Sequence, residues 1–151
     1  MIIKPTLDDL KEINKIAKQV HAMHVAWRPD IYVASEAPIT TEYFSEILQN
    51  DGILVFKEND RTIGYIMFSF FERNNAVMRY KKILHIEQIA VDEKNQNKGV
   101  GSQLMCHVID YAKNLGCTDM MLTVNEDNIK ARKFYEKFGM SVENVRLSMT
   151  L

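Results

Sequence analysis

The stretch Gln96-Asn97-Lys98-Gly99-Val100-Gly101-Ser102 has the residue types of an anion cradle. It follows an apolar run, Ile83-Leu84-His85-Ile86-Glu87-Gln88-Ile89-Ala90-Val91, and leads into a helical pattern that begins near Gly101. Backbone N–H groups at a helix start lack intrahelical partners, and the helix dipole favours an anion there. Glycine lets a phosphate come close to the backbone. Two nucleotide motifs fail on inspection. A P-loop needs Lys and then Ser or Thr after its last glycine, but Gly101 is followed by Ser102-Gln103. A dinucleotide fingerprint needs Gly or Ala three residues after its second glycine, and Leu104 stands there.

What remains is Gln-x-x-Gly-x-Gly over residues 96–101, followed downstream by Asn128-Ile129-Lys130-Ala131-Arg132-Lys133-Phe134-Tyr135-Glu136-Lys137-Phe138-Gly139. In this order the two motifs resemble the GCN5-related N-acetyltransferases, the GNAT family. The resemblance covers residues 83–139 well, and the N-terminal half only by order of elements. It implies acetyl-CoA as donor. The loop Gln96, Asn97, Lys98, Gly99, Val100, Gly101 and Ser102 would take the pyrophosphate on backbone N–H groups. Ile89, Ala90 and Val91 would offer backbone to the pantetheine arm as a neighbouring strand does. Asn128 would hydrogen-bond that arm, and Tyr135 would stand near the thioester sulfur. Asn95 departs from the family, where many members carry an aromatic residue, and is expected to loosen packing beneath the loop.

Transfer of acetyl to a primary amine needs that amine neutral. A lysine-like amine of pKa ~10.4 is only about one part in a few thousand neutral at pH 7, a deficit of roughly 4–5 kcal/mol. A carboxylate acting as general base relieves it. Glu87 is the candidate base or substrate anchor. Strand alternation sets it on the side of Ile89 and Val91, with His85 on the same face as a second candidate. Tyr135 is the candidate acid for the departing thiolate; its alternative is packing beside Phe134 and Phe138. A backbone N–H of strand 87–91 would meet the oxyanion of the tetrahedral intermediate. His24, Trp27, Arg28 and Tyr32 border the acceptor pocket that the resemblance implies. His21 and His24 lie three apart, but no third ligand accompanies them, so no metal is expected.

The surrounding pattern supplies elements to hold these groups. Ile2-Ile3-Lys4 reads as a first strand. Thr6 caps a helix whose Leu10, Ile13, Ile16, Ala17 and Val20 repeat at helical spacing; it fades before Arg28-Pro29. A short helix follows over residues 41–49, capped by Thr40 or Thr41. Ile53-Leu54-Val55-Phe56 and residues 62–71 read as a hairpin, with Gly64 marking a bulge or a close backbone approach. Residues 72–82, with Arg73, Arg79, Lys81 and Lys82, read as a basic solvated loop. Strand 83–91 and the loop lead to a helix that buries Leu104, Met105, Val108, Ile109 and Ala112, with Gly116 just beyond its end. A strand over 119–124, a helix over 128–138 and a last strand over 142–151 complete the order.

The expected fold is α/β (α+β): a largely antiparallel mixed sheet flanked by helices, in a single domain over residues 1–151. The resemblance places acetyl-CoA in the splay between the fourth and fifth strands. The 151 residues carry 19 Lys plus Arg against 20 Asp plus Glu, a net charge of −1. That balance argues against nucleic-acid or membrane partners. No run approaches the ~20 apolar residues of a membrane span, and Met1-Ile2-Ile3-Lys4-Pro5 does not read as a signal peptide. Cys106 and Cys117 match no metal or redox spacing and are expected to be buried free thiols in a cytoplasmic protein. The expectation is an acetyl-CoA-dependent N-acetyltransferase acting by direct attack, as monomer or homodimer. The alternatives are an acyl-CoA-binding module with little or no turnover, or a transferase using another acyl-CoA. The acceptor amine is open, and no acid cluster in the N-terminal half demands a polycation.

Overall fold

The first helix begins at a buried carboxylate. In the computed structural model, which describes all 151 residues, the Thr6 N–H donates to Asp9 Oδ2 at 2.8 Å. Lys57 Nζ lies 2.5 Å from the other Asp9 oxygen. A 3-10 turn over Leu7–Asp9 passes into α1, Leu10–Trp27. The apolar stripe of α1 buries Ile13, Ile16 and Ala17. The helix stops before Arg28-Pro29, where Arg28 leaves the helical region (φ −135°, ψ 67°). The second helix, α2, spans Thr41–Gln49, and the Thr40 hydroxyl caps it by accepting the Tyr43 N–H at 3.2 Å.

Five strands form one sheet in sequential order: β1 (Ile2–Ile3), β2 (Ile53–Glu58), β3 (Arg61–Asn75), β4 (Met78–Val91) and β5 (Asp119–Leu122). All neighbours are antiparallel except β4 and β5, which are parallel. A two-residue turn joins β2 to β3, with Asn59 and Asp60 at φ 50° and 61°. Asn and Asp tolerate that left-handed conformation better than other side chains. Two more helices follow, α3 (Val100–Asn114) and α4 (Ile129–Glu136).

Helices cover both faces of the sheet. On one, α1 and α2 pack Ile13, Ile16, Phe44 and Ile47 against Ile53, Val55, Tyr65, Met67 and Ala90. On the other, Val100, Leu104, Met105 and Val108 of α3 meet Ile63, Ile66, Phe68, Leu84 and Ile86, with Phe134, Tyr135 and Phe138 half-buried alongside. Gly64 serves both roles expected of it. The β2/β3 register shifts beside it, and a Cβ there would lie 3.0 Å from Val100 Cγ1 and 3.1 Å from the Ala90 carbonyl oxygen. Its bare backbone lets the start of α3 settle onto the sheet.

Three expectations need correction. Residues 72–82 are not a loop: β3 and β4 continue as a hairpin, with Glu72 opposite Lys82 and the Asn75 side chain accepting the N–H groups of Val77 and Met78 at 3.0 Å. The basic residues lace this hairpin to β5. Lys81 Nζ reaches Asp119 at 2.6 Å, and the Lys82 ammonium donates to the Leu115 carbonyl at 2.7 Å. Alternating opposite charges support cross-strand pairs as well as they support a solvated loop. Residues 142–151 do not form a strand. Their alternation marks a segment able to pair, but pairing needs a partner, and residues 141–151 make no backbone hydrogen bond. Cys106 is exposed on the outer face of α3, and Cys117 is half-buried; both are free.

Candidate active site

The loop before α3 is shaped by two residues in the left-handed region, Asn97 (φ 63°) and Gly99 (φ 81°). The Gln103 N–H is bonded back to the Gly99 carbonyl at 3.0 Å. The first-turn N–H groups of Val100, Gly101 and Ser102 precede it at the positive end of the helix. Side chains brace the loop from below. Gln96 donates to the Val91 carbonyl at 3.2 Å and accepts from Lys130 Nζ at 2.9 Å, so it ties the loop to both β4 and α4. Asn95, expected to loosen this region, instead bridges Asp92 at 3.0 Å and Lys98 Nζ at 3.1 Å.

Beside this loop the sheet parts. β5 pairs with β4 from Ile83↔Asp119 to Ile86↔Leu122 and then ends, whereas β4 runs on to Val91. From Glu87 to Val91 no strand pairs with the outer edge of β4; the Ala90 carbonyl faces Gly64 of β3, and the Val91 carbonyl accepts from Gln96.

Glu87 occupies a β-bulge. Met67 pairs with Gln88 and Phe68 with Ile86, which leaves Glu87 without a partner. Strand alternation is therefore broken at this residue. Leu84 and Ile86, and then Ile89 and Val91, all pack on the α3 side. Glu87 turns the other way, toward α2, contrary to the uninterrupted alternation expected from the sequence. One of its carboxylate oxygens accepts from Ser69 Oγ at 2.7 Å and lies 3.0 Å from His85 Nδ1. His85 shares the Glu87 face as expected.

Glu87 opens into a pocket of about 520 Å³ whose polar lining is Tyr43, Glu46, Asn50, Ser69 and Glu87. No Lys or Arg lines it. The Tyr43 phenol titrates above its ordinary range, chiefly through burial and further through the nearby charges of Glu87 and Glu46. An acidic pair thus does form, by joining α2 to β4. The sequence reading missed Tyr43, Glu46 and Ser69. A signal was present, since Tyr43, Glu46, Ile47 and Asn50 follow the i, i+3, i+4, i+7 spacing of one helix stripe. Ser69 continues the alternation of Tyr65 and Met67.

On the opposite face, Tyr135 packs edge-on against Phe134 with ring centroids 5.4 Å apart. Burial pushes its phenol up to about 12, which keeps it protonated at neutral pH. Asn128 caps α4, its Oδ1 accepting the Ala131 N–H at 3.1 Å. That oxygen is committed, and the amide NH₂ remains as a donor. At the end of α1, the His24 ring lies 5.9 Å from Trp27 and 5.5 Å from Tyr32. Burial, and then neighbouring His21, lower the His24 pKa, so its ring is neutral at pH 7. Arg28 forms a forked pair with Asp30 at 2.9 and 2.7 Å, and senses the charge of Asp127 beside Asn128. This corner of α1 therefore neighbours the loop that leaves β5.

The strand edge left by the parallel neighbour β5 lies beside the loop that begins α3. The family model of the acetyltransferase (GNAT) family matches residues 18–140. The chain belongs to the GNAT family of acetyltransferases. Among its relatives is streptothricin acetyltransferase A of Bacillus subtilis, 28% identical over 91% of this chain and 83% of the relative. Another is the spermine/spermidine N(1)-acetyltransferase of Bacillus subtilis, 25% identical over 91% of this chain and 85% of the relative. A crystal structure of the BH1408 protein from Bacillus halodurans, a tetramutant, superposes with a TM-score of 0.94 at 26% identity, covering 100% of this chain and 99% of that one. In this GNAT domain, the two motifs and the bulged strand meet where β4 and β5 separate.

Proposed function

We propose that the protein transfers acetyl from acetyl-CoA to a primary amine that carries a second positive charge. The observation that carries this reading is the bulge at Glu87. It turns a carboxylate into the α2-side pocket at the point where β5 leaves β4. The gap joins the two faces of the sheet, with the acidic pocket on one and Tyr135 on the other.

The residues present suit the donor. The N–H groups at the start of α3, with Asn97 and Gly99 in the left-handed region, suit a pyrophosphate. The outer edge of β4 at Ile89, Ala90 and Val91, which no strand pairs, suits an amide-bearing arm that pairs as a strand does. Acetyl-CoA supplies the activated acyl group. The acceptor enters from the α2 side, and its nitrogen attacks the acyl carbonyl directly, with no acetylated side chain between. Glu87, oriented by Ser69 and His85, takes the ammonium proton or anchors the amine. Tyr135 donates to the sulfur that leaves.

Glu46 and Glu87 without any Lys or Arg favour a cationic acceptor and disfavour a phosphorylated one. The polyamines named for one relative are of that chemical kind. A CoA-release assay over a panel of amines tests the reading. Diamines and polyamines should exceed monoamines and phosphorylated amino sugars in kcat/KM. Glu46→Gln should raise KM for a diamine about tenfold, equivalent to ~1.4 kcal/mol, and leave a monoamine unchanged. A preference for anionic acceptors would overturn it.

A further inference from the structure

The loop that begins α3 is tied to α1 by a chain of directed hydrogen bonds. Gln19, half-buried on α1, clamps the turn that follows β4. Its Nε2 donates to Asp92 Oδ1 at 2.9 Å, and its Oε1 accepts the Glu93 N–H at 3.0 Å. The other Asp92 oxygen accepts from Asn95 Nδ2 at 3.0 Å. Asn95 Oδ1 in turn accepts from Lys98 Nζ at 3.1 Å. Each amide meets a donor at its oxygen and an acceptor at its nitrogen, so neither flips without losing its bonds. Both Asp92 oxygens are engaged, so that carboxylate turns only if Gln19 or Asn95 lets go. The backbone holds the same turn, with the Asp92 N–H on the Ile63 carbonyl at 2.9 Å and the Asn95 N–H on the Asp92 carbonyl at 2.8 Å.

We infer that Gln19 is a positioning residue for the donor anion: through Asp92 and Asn95 it holds the Lys98 ammonium at the mouth of the loop. The inference rests on the reading of this loop as the pyrophosphate site. Lys98 stands between the two left-handed residues, Asn97 and Gly99, just before the first N–H groups of α3. A lysine side chain is long and flexible, and ordering it on binding costs affinity. Here Asn95 orders it beforehand. The bond to Asn95 uses one of the three ammonium donors and leaves two for phosphate oxygens. The order of groups matters as well. Asp92 in direct contact with Lys98 would cancel much of its charge. The neutral amide of Asn95 keeps the carboxylate one step back, so Lys98 is held and its charge stays available. Gln19 thus acts on the donor from a helix on the other face of the sheet.

Calorimetric titration with acetyl-CoA, and turnover of a diamine with S-acetylpantetheine, which lacks the phosphates, test this on the full chain. Gln19→Ala should weaken acetyl-CoA binding about three- to tenfold and keep kcat/KM for S-acetylpantetheine. Lys98→Ala should weaken acetyl-CoA binding about tenfold or more. Adding Gln19→Ala to it should cost less than about twofold more, because the chain of bonds then ends on nothing. Asn95→Ala cuts the chain beside Lys98 and leaves α1 intact. It should match Gln19→Ala, and stands in for it if that variant does not fold. Unchanged acetyl-CoA affinity in Gln19→Ala, or losses that add in full in the double variant, overturns the inference. An equal loss with S-acetylpantetheine overturns it too, since that marks a brace of the fold alone. A wild type that does not bind acetyl-CoA removes the reading of the loop itself, and this inference with it.

Discussion

Glu87 is set by two neighbours and one irregularity. Ser69 and His85 share one of its oxygens, which leaves the other without a side-chain partner. The bulge lets Ile89 and Val91 return to the α3 side while Glu87 stays with His85 on the opposite face. Tyr135 differs in kind. Its phenol, pushed up to about 12 by burial, holds its proton at neutral pH. A thiol of pKa ~8.5 leaves fairly well unaided. Tyr135→Phe should therefore lower kcat by ~10²-fold or less, the small end of acid–base effects. Stopped-flow release of CoA measures this, and an unchanged rate where chemistry is limiting would count against the role. The Asn128 side chain is the residue whose implied role the structure narrows most, because its carbonyl oxygen caps α4.

At the scale of elements, the site depends on how α3 meets the sheet. Gly64 lies beneath Val100 with no room for a branched side chain. Gly64→Val should cost about 1–3 kcal/mol by overpacking. It should also weaken acetyl-CoA binding, since the start of α3 must lift; chemical denaturation and calorimetry read the two effects. The helices, the strand cores and the hairpin of residues 53–71 were legible because apolar spacing and turn residues act locally. The β3–β4 hairpin was not, because Lys81 and Lys82 find their partners, Asp119 and the Leu115 carbonyl, far along the chain. The bulge at Glu87 was not, because it depends on the register between two strands, which no single strand encodes. Glu46 was overlooked because a helix stripe shows which residues travel together but not what they face.

Across the whole molecule, the N-terminal turn is fastened to the sheet through Asp9. Desolvation raises the pKa of this buried carboxyl, but Lys57 and the Thr6 N–H outweigh it, and the net shift is downward. A depressed carboxyl contributes stability that is present above its unfolded pKa of ~3.9 and lost as pH falls through the folded value. Asp9→Asn should cost about 1.5–3 kcal/mol at pH 7 and flatten the acid limb of a plot of Tm against pH. An acid limb unchanged by the substitution would show that another group governs it. The two faces of the sheet differ: α2, β3 and β4 line the pocket beside Glu87, and Tyr135 lies on the other face with α3. The most direct test is single-turnover CoA release by wild type and Glu87→Gln, with acetyl-CoA and a diamine both saturating. Both proteins should gain ~2.7 kcal/mol of stability from acetyl-CoA at ~100 times Kd. The variant should release CoA at least ~10²-fold more slowly. Equal rates would exclude Glu87 as the base, and a wild type that binds acetyl-CoA and acetylates no amine would contradict the account.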